Sequence, residues 1–176
     1  MVDDSRWLYA LLVAVVGAER LVELALTKRH ARRLAARGGY QVGRGHYPVM
    51  VVLHGGLLAA CLAEVLLLDR PFLSSLGWSM AVVVGLTMAL RWWAISTLGE
   101  RWTTTVWVLP GEPAVGGGPY RYLRHPNYLA VAVEVAALPL VHTAWWTALA
   151  FGAGNLFLLR HRIGVEEAAL AATARG

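Results

Sequence analysis

Apolar residues along the chain fall into about five long runs, each near the roughly 20 residues that cross a hydrocarbon core about 30 Å thick. The runs cover residues 7–26, 47–68, 72–90 and beyond, 128–140, and 145–159. Two of the connections, 69–71 and 141–143, are only tight turns, so the runs they join are expected to form antiparallel hairpins. The stretch from 99 to 125 is long and holds Pro110, Gly111, Pro113, Gly116, Gly117, Gly118 and Pro119. Connections of that length tend to be functional or disordered, and the aromatic and β-branched residues from Trp102 to Val108 predict order. The pattern predicts an all-α integral membrane protein with about five transmembrane helices. It forms one membrane domain over 1–176, with an N-terminal three-helix part (1–98) and a C-terminal part (99–176).

Composition agrees with that pattern. Hydrophobic residues make up 57% and charged residues only 15%, whereas a soluble domain holds closer to a quarter charged. Eight tryptophans fit anchoring at bilayer interfaces. The single cysteine, Cys61, lies in an apolar run and reads as a packing residue. The net charge of +5 does not point to nucleic acid, because the basic residues sit between apolar runs and not on one polar face. They set orientation instead. Lys28, Arg29, Arg32, Arg33, Arg37 and Arg44 follow the first run, Arg101, Arg121 and Arg124 follow the third, and Arg160, Arg162 and Arg175 follow the last. Only Arg6 and Arg70 mark the opposite side. Cytoplasmic loops retain such residues, so the N-terminus is expected outside and the C-terminus in the cytoplasm. That result requires an odd number of spans. The first run lacks a basic leader and a small-residue cleavage pattern, so it is expected to remain as a helix.

The densest polar motif is Gly118-Pro119-Tyr120-Arg121-Tyr122-Leu123-Arg124-His125-Pro126-Asn127-Tyr128. Pro126 disfavours helix at His125 but suits a first helical turn, so the fourth span should begin there with His125 as its N-cap. Free N–H groups at such a start favour a carboxylate or phosphate. Read by itself, the segment is a membrane-edge turn with interfacial tyrosines and topology-setting arginines. A second motif follows the last run: Arg162-Ile163-Gly164-Val165-Glu166-Glu167. By itself, its Arg162 and Glu166 read as a helix-surface ion pair contributing about 0.2–0.5 kcal/mol.

Together and in this order, the two motifs resemble those of the isoprenylcysteine carboxyl methyltransferase family, over about residues 102–170. The 19–24 segment (Glu-Arg-Leu-Val-Glu-Leu) and Gly45-His46-Tyr47-Pro48 resemble a bacterial branch whose substrates need not be prenylated proteins. The resemblance implies S-adenosylmethionine in a cytosol-facing pocket between the loop before the fourth helix and the C-terminal helix. A lipophilic small molecule or lipid would reach it from the bilayer, here the bacterial plasma membrane. It makes 99–176 the catalytic part. By the same resemblance, Tyr120, His125, Pro126, Asn127, Tyr128, Glu166 and Glu167 bind the cofactor, Arg162 orients the acceptor, and Arg162 and Glu166 are the expected catalytic residues. Glu112 stands where eukaryotic members carry a histidine.

The chemistry suits so few polar groups. A sulfonium methyl donor is already activated and a carboxylate acceptor is already ionised, so alignment and exclusion of water carry most of the work. A phenol or enol acceptor would need its pKa of about 10 or below lowered, which a fixed guanidinium can do electrostatically. Other polar residues invite bland readings. Glu19 and Glu23 pair with Arg20 or Arg91, His54 and Glu64 bond between helices, and Glu134 faces the substrate cavity. No His, Cys or carboxylate cluster has metal-ligand spacing. An NADPH-dependent sterol-type reductase is the competing enzyme class. A transporter or scaffold is the non-enzymatic one, weakened by the lack of inverted repeats.

Overall fold

The computed structural model describes residues 4–43, 45, 47–113 and 115–173; Arg44, His46 and Arg175 lie outside these described residues. The first helix, α1, runs from Asp4 to Ala36. Its 33 residues reach about 50 Å at 1.5 Å per residue. It therefore continues through Lys28, Arg29, Arg32 and Arg33, which sequence analysis placed in a connection. The reason is local: 28–36 contains good helix formers and no Gly or Pro. Gly38, at φ 80°, ends the helix, and the Gly39 N–H closes the last turn on the Leu34 carbonyl at 2.9 Å. One stripe of α1 is buried: Tyr9, Val13, Val16, Glu19, Glu23, Thr27, His30 and Leu34. Steps of three or four residues keep it on a single face.

The chain is mostly helical, as expected, with one addition: β1 (Tyr40–Val42) pairs antiparallel with β2 (Val106–Val108), Tyr40 opposite Val108 and Val42 opposite Val106. The ladder ties the segment after α1 to the long loop. Between these strands come α2 (Tyr47–Leu67) and α3 (Ser74–Leu98), the latter followed by a short 3₁₀ turn through Arg101. Then come α4 (Pro126–Leu140) and α5 (Trp145–Thr173). The last apolar run and the tail that follows it are thus one helix.

The tight turns fall where the connections predicted them. Asp69 and Thr143 take left-handed φ values of 52° and 54°, and Thr143 donates its hydroxyl to the Pro71 carbonyl at 2.7 Å, joining the two turns. Nearby, the buried Glu64 carboxylate accepts from the Trp146 and Thr147 backbone N–H groups at 3.2 and 2.7 Å and from the Thr147 hydroxyl at 2.7 Å. It also takes the Arg70 guanidinium. A carboxylate on α2 thereby caps α5, satisfying N–H groups that the first turn leaves free. This is the interhelical bonding expected of Glu64. His54 departs from that expectation: its Nδ1 bonds the Met50 carbonyl of its own helix at 2.9 Å.

Side chains from every long helix meet in one core, including Val13 and Val16 of α1, Leu57 and Cys61 of α2, Val84 of α3, Val131, Val135 and Leu138 of α4, and Leu159 of α5. Cys61 is a buried packing residue, as expected. The outward side chains are also largely apolar, among them Leu11, Val52, Leu67, Val82, Leu86, Leu149 and Phe157. Tyr47–Leu67 and the continuous segment Ser74–Arg101 are long and apolar enough to cross a membrane, and Pro126–Leu140 is apolar but shorter.

Candidate active site

Helix α4 starts where the proline predicts. His125 is its N-cap residue and Pro126 its first helical position, with no side-chain cap bond. Pro126 has no N–H, and the next N–H groups of the first turn have no intrahelical acceptor. The preceding 3₁₀ turn, Gly118–Arg121, begins at Gly118 with φ 52°; a Cβ there would lie 2.2 Å from the Thr97 hydroxyl oxygen, so only glycine fits. That close approach seats Tyr120 and the following loop against α3.

The C-terminal part of α5 returns to this loop. The Tyr128 hydroxyl donates to Glu166 Oε2 at 2.5 Å, and His125 Nε2 lies 3.3 Å from Glu167 Oε1. His125 Nδ1 is 4.0 Å from Glu166 Oε1, and Arg124 lies 3.7 Å from Glu167. The two motifs, about 40 residues apart in sequence, therefore face each other. They border a cavity of about 960 Å³, whose lining includes Tyr120, His125, Asn127, Tyr128, Arg162 and Glu166. Pro126 and Glu167 also line it, so all eight residues singled out from sequence come together. Tyr120 is held as a neutral phenol, because burial and the nearby Glu166 charge both raise its pKa.

Arg162 is only 6% exposed, yet among the described residues it has no ion-pair partner. The helix-surface pair with Glu166 is not formed. Instead Nη2 donates to the Thr104 carbonyl at 2.7 Å, Nη1 to the Met50 sulfur, and the guanidinium carbon lies 5.4 Å from the centre of the Tyr128 ring. Its Nε has no acceptor, and neither the buried Asn127 Oδ1 nor the Thr104 hydroxyl oxygen has a partner. A buried cation without a counter-charge is costly unless something else compensates it.

Sequence reasoning missed several contributors. Trp107 and Val108 of β2 line the cavity; Glu112, which the resemblance had marked, lines it too and pairs with Arg37 and Arg101. Thr104 and Met50 touch Arg162 through a backbone carbonyl and a thioether, neither of which leaves a charge or motif signal in the sequence. Glu134 was expected to face the cavity. It is buried elsewhere, held by the Arg20 Nη2 at 2.8 and 3.0 Å, so its charge is satisfied and cannot serve the site.

The sequence profile of the isoprenylcysteine carboxyl methyltransferase family matches residues 79–172, more than half of the chain and all of the two motifs. The chain belongs to this family. The match begins within α3, further toward the N-terminus than the motifs alone indicated. Among its relatives, the uncharacterized protein YpbQ of Bacillus subtilis is 33% identical over 163 residues, covering 93% of this chain and 96% of the relative. An uncharacterized protein of Haemophilus influenzae is 29% identical over 158 residues, 89% and 91% of the two chains. No solved structure matches the chain. The family is one of methyltransferases whose members use S-adenosylmethionine. The residues of this cavity fit such a group: two carboxylates at one wall, unpartnered polar atoms on Asn127 and Arg162, and free N–H groups at the start of α4.

Proposed function

We propose that this protein is an integral membrane methyltransferase that moves a methyl group from S-adenosylmethionine to a carboxyl or hydroxyl oxygen of a lipophilic acceptor. The observation that carries the reading is the buried, unpaired Arg162 at the wall of a cavity shared by the two motifs. A guanidinium fixed there is compensated by an anionic oxygen, and its fork suits a carboxylate or a phenolate. In this reading all of the long helices span the bacterial plasma membrane, N-terminus outside, with the cavity open to the cytoplasm. The apolar outward faces of α1, α2, α3 and α5 support it.

S-adenosylmethionine, when bound, supplies a methyl group already activated on a sulfonium. Glu166 and Glu167 favour a cation and accept from hydroxyl or amino groups. Asn127 and the α4 start bind polar ends of the donor, and Tyr128 holds Glu166 in place. Arg162 holds the acceptor oxygen in its nucleophilic, anionic form and aims it; no acid or base is needed for a carboxylate. An apolar groove of about 580 Å³ between α2 and α5, lined by Val49, Val52, Gly56 and Phe151, suits the acceptor's hydrocarbon chain. Calorimetric titration of the detergent-purified protein with S-adenosylmethionine and with NADPH tests the reading. Saturable binding of the first alone is expected; binding of NADPH alone would overturn it.

A further inference from the structure

The N-terminal helix lies outside the family match, yet it reaches the site. The buried stripe of α1 is apolar from Tyr9 to Val16 and polar from Glu19 to His30. At its far end Thr27 and His30, one turn apart, grip the loop that precedes β2. The Thr104 N–H donates to the Thr27 hydroxyl oxygen at 3.0 Å, and His30 Nδ1 bonds the Trp102 carbonyl at 2.8 Å. Both side chains are buried. The next peptide of the same loop carries the Thr104 carbonyl, which receives the Arg162 guanidinium at 2.7 Å. Beyond it the loop enters the β1–β2 ladder.

We infer that Thr27 is a positioning residue for methyl transfer: by fixing Thr104 it sets where the Arg162 guanidinium meets the acceptor. The inference rests on the proposed role of Arg162 as the acceptor-binding cation. An arginine side chain has several rotatable bonds, and burial alone does not choose among its rotamers. One nitrogen is held by a backbone oxygen, so the aim of the remaining N–H groups follows that oxygen. Thr27 is not among the residues that line the cavity, so its effect passes through the loop.

The test compares Thr27→Val, Thr27→Ser, Arg162→Lys and the Thr27→Val/Arg162→Lys double variant, using palmitic acid and a long-chain alkylphenol as acceptors. Thr27→Val should lower kcat/KM for the acceptor about fivefold, the equivalent of one ordinary hydrogen bond, with S-adenosylmethionine affinity unchanged. Thr27→Ser should restore it, and the double variant should be no worse than Arg162→Lys alone. An acceptor-independent arm reads phenylglyoxal modification of Arg162 by mass spectrometry, which Thr27→Val should accelerate and Thr27→Ser should not. Normal transfer and normal Arg162 reactivity in Thr27→Val, with Arg162→Lys impaired, would overturn the inference and leave the proposed function standing. Equal losses from Thr27→Val in both Arg162 backgrounds would overturn it in favour of a general structural role. If Arg162→Lys transferred methyl normally, the role of Arg162 and this inference would both fall.

Discussion

Replacing Arg162 with lysine keeps the charge and removes the fork. In the structure the guanidinium uses one nitrogen on the Thr104 carbonyl at 2.7 Å, another on the Met50 sulfur, and a face on the Tyr128 ring, and still presents an unpartnered Nε. It can be anchored and also bind an oxygen. A lysine ammonium is one point with three donors, so an anchor at Thr104 competes with contact to the acceptor, and the aromatic stacking is weakened. Losing one charge-assisted bond of a pair costs about 1.5–3 kcal/mol, and residual charge attraction returns part of that. We expect at least about 1.4 kcal/mol of lost transition-state stabilisation, which is about a tenfold fall in kcat/KM for the acceptor. The assay is transfer of labelled methyl to the acceptors named above, with calorimetric titration of S-adenosylmethionine alongside. Cofactor affinity should stay within about twofold, because Glu166, Glu167 and the α4 start are untouched. Wild-type turnover in Arg162→Lys would refute the argument, as would a loss confined to cofactor affinity.

Glu166→Gln should weaken S-adenosylmethionine binding by about 1.5–3 kcal/mol through loss of a charged acceptor, measured by calorimetry; an unchanged Kd in folded protein would remove Glu166 from the donor site. At the other end of the molecule, Glu64→Ala strips the cap from α5 and leaves two N–H groups, the Thr147 hydroxyl and Arg70 without their acceptor. It should cost about 2–3 kcal/mol and lower the thermal midpoint in detergent, with Glu64→Gln intermediate; an unshifted midpoint would show that the cap is replaced by water.

Much of this arrangement is legible in the sequence, for identifiable reasons. Pro126 marks the start of α4 because a proline lacks an N–H and restricts its predecessor, and the structure begins the helix there. The pairing of the 118–128 segment with Arg162–Glu167 was reached through resemblance; spacing along the chain carries no such information, and the helix-surface reading of Arg162 and Glu166 was equally consistent with it. Three-residue strands have too short an alternation to be read, so the β1–β2 ladder between Tyr40–Val42 and Val106–Val108 was invisible. Basic residues read as a loop were a helix end, because positive charge reports the side of a membrane and not the backbone conformation. Glu134 was misplaced since its partner Arg20 is 114 residues away, and a carboxylate in an apolar run shows its depth but not its direction.

The interior charges bear on how the N-terminal helix is held against the loop that Thr27 and His30 touch. Glu23 takes Arg91 of α3 through two nitrogens, and Arg20, adjoining Glu19, reaches both Glu23 and Glu134 of α4. Apolar side chains of the same size would also hold these helices together, and buried ion pairs often add little net stability over such a replacement. What the pairs add is direction. An apolar stripe tolerates sliding or rotation of a helix by part of a turn, whereas a two-point guanidinium–carboxylate contact has one geometry, and leaving it unmade inside the molecule costs several kcal/mol. With contacts to α3 and α4 from consecutive turns, α1 has neither its rotation nor its axial register free. Thr27 lies about 6 Å beyond Glu23 along the axis and His30 about 4.5 Å further, at 1.5 Å per residue. Their hydroxyl and imidazole therefore arrive at fixed heights against Trp102 and Thr104. The charges stand away from the cavity, yet by holding α1 in register they would, on the inference above, help set the Thr104 carbonyl against Arg162.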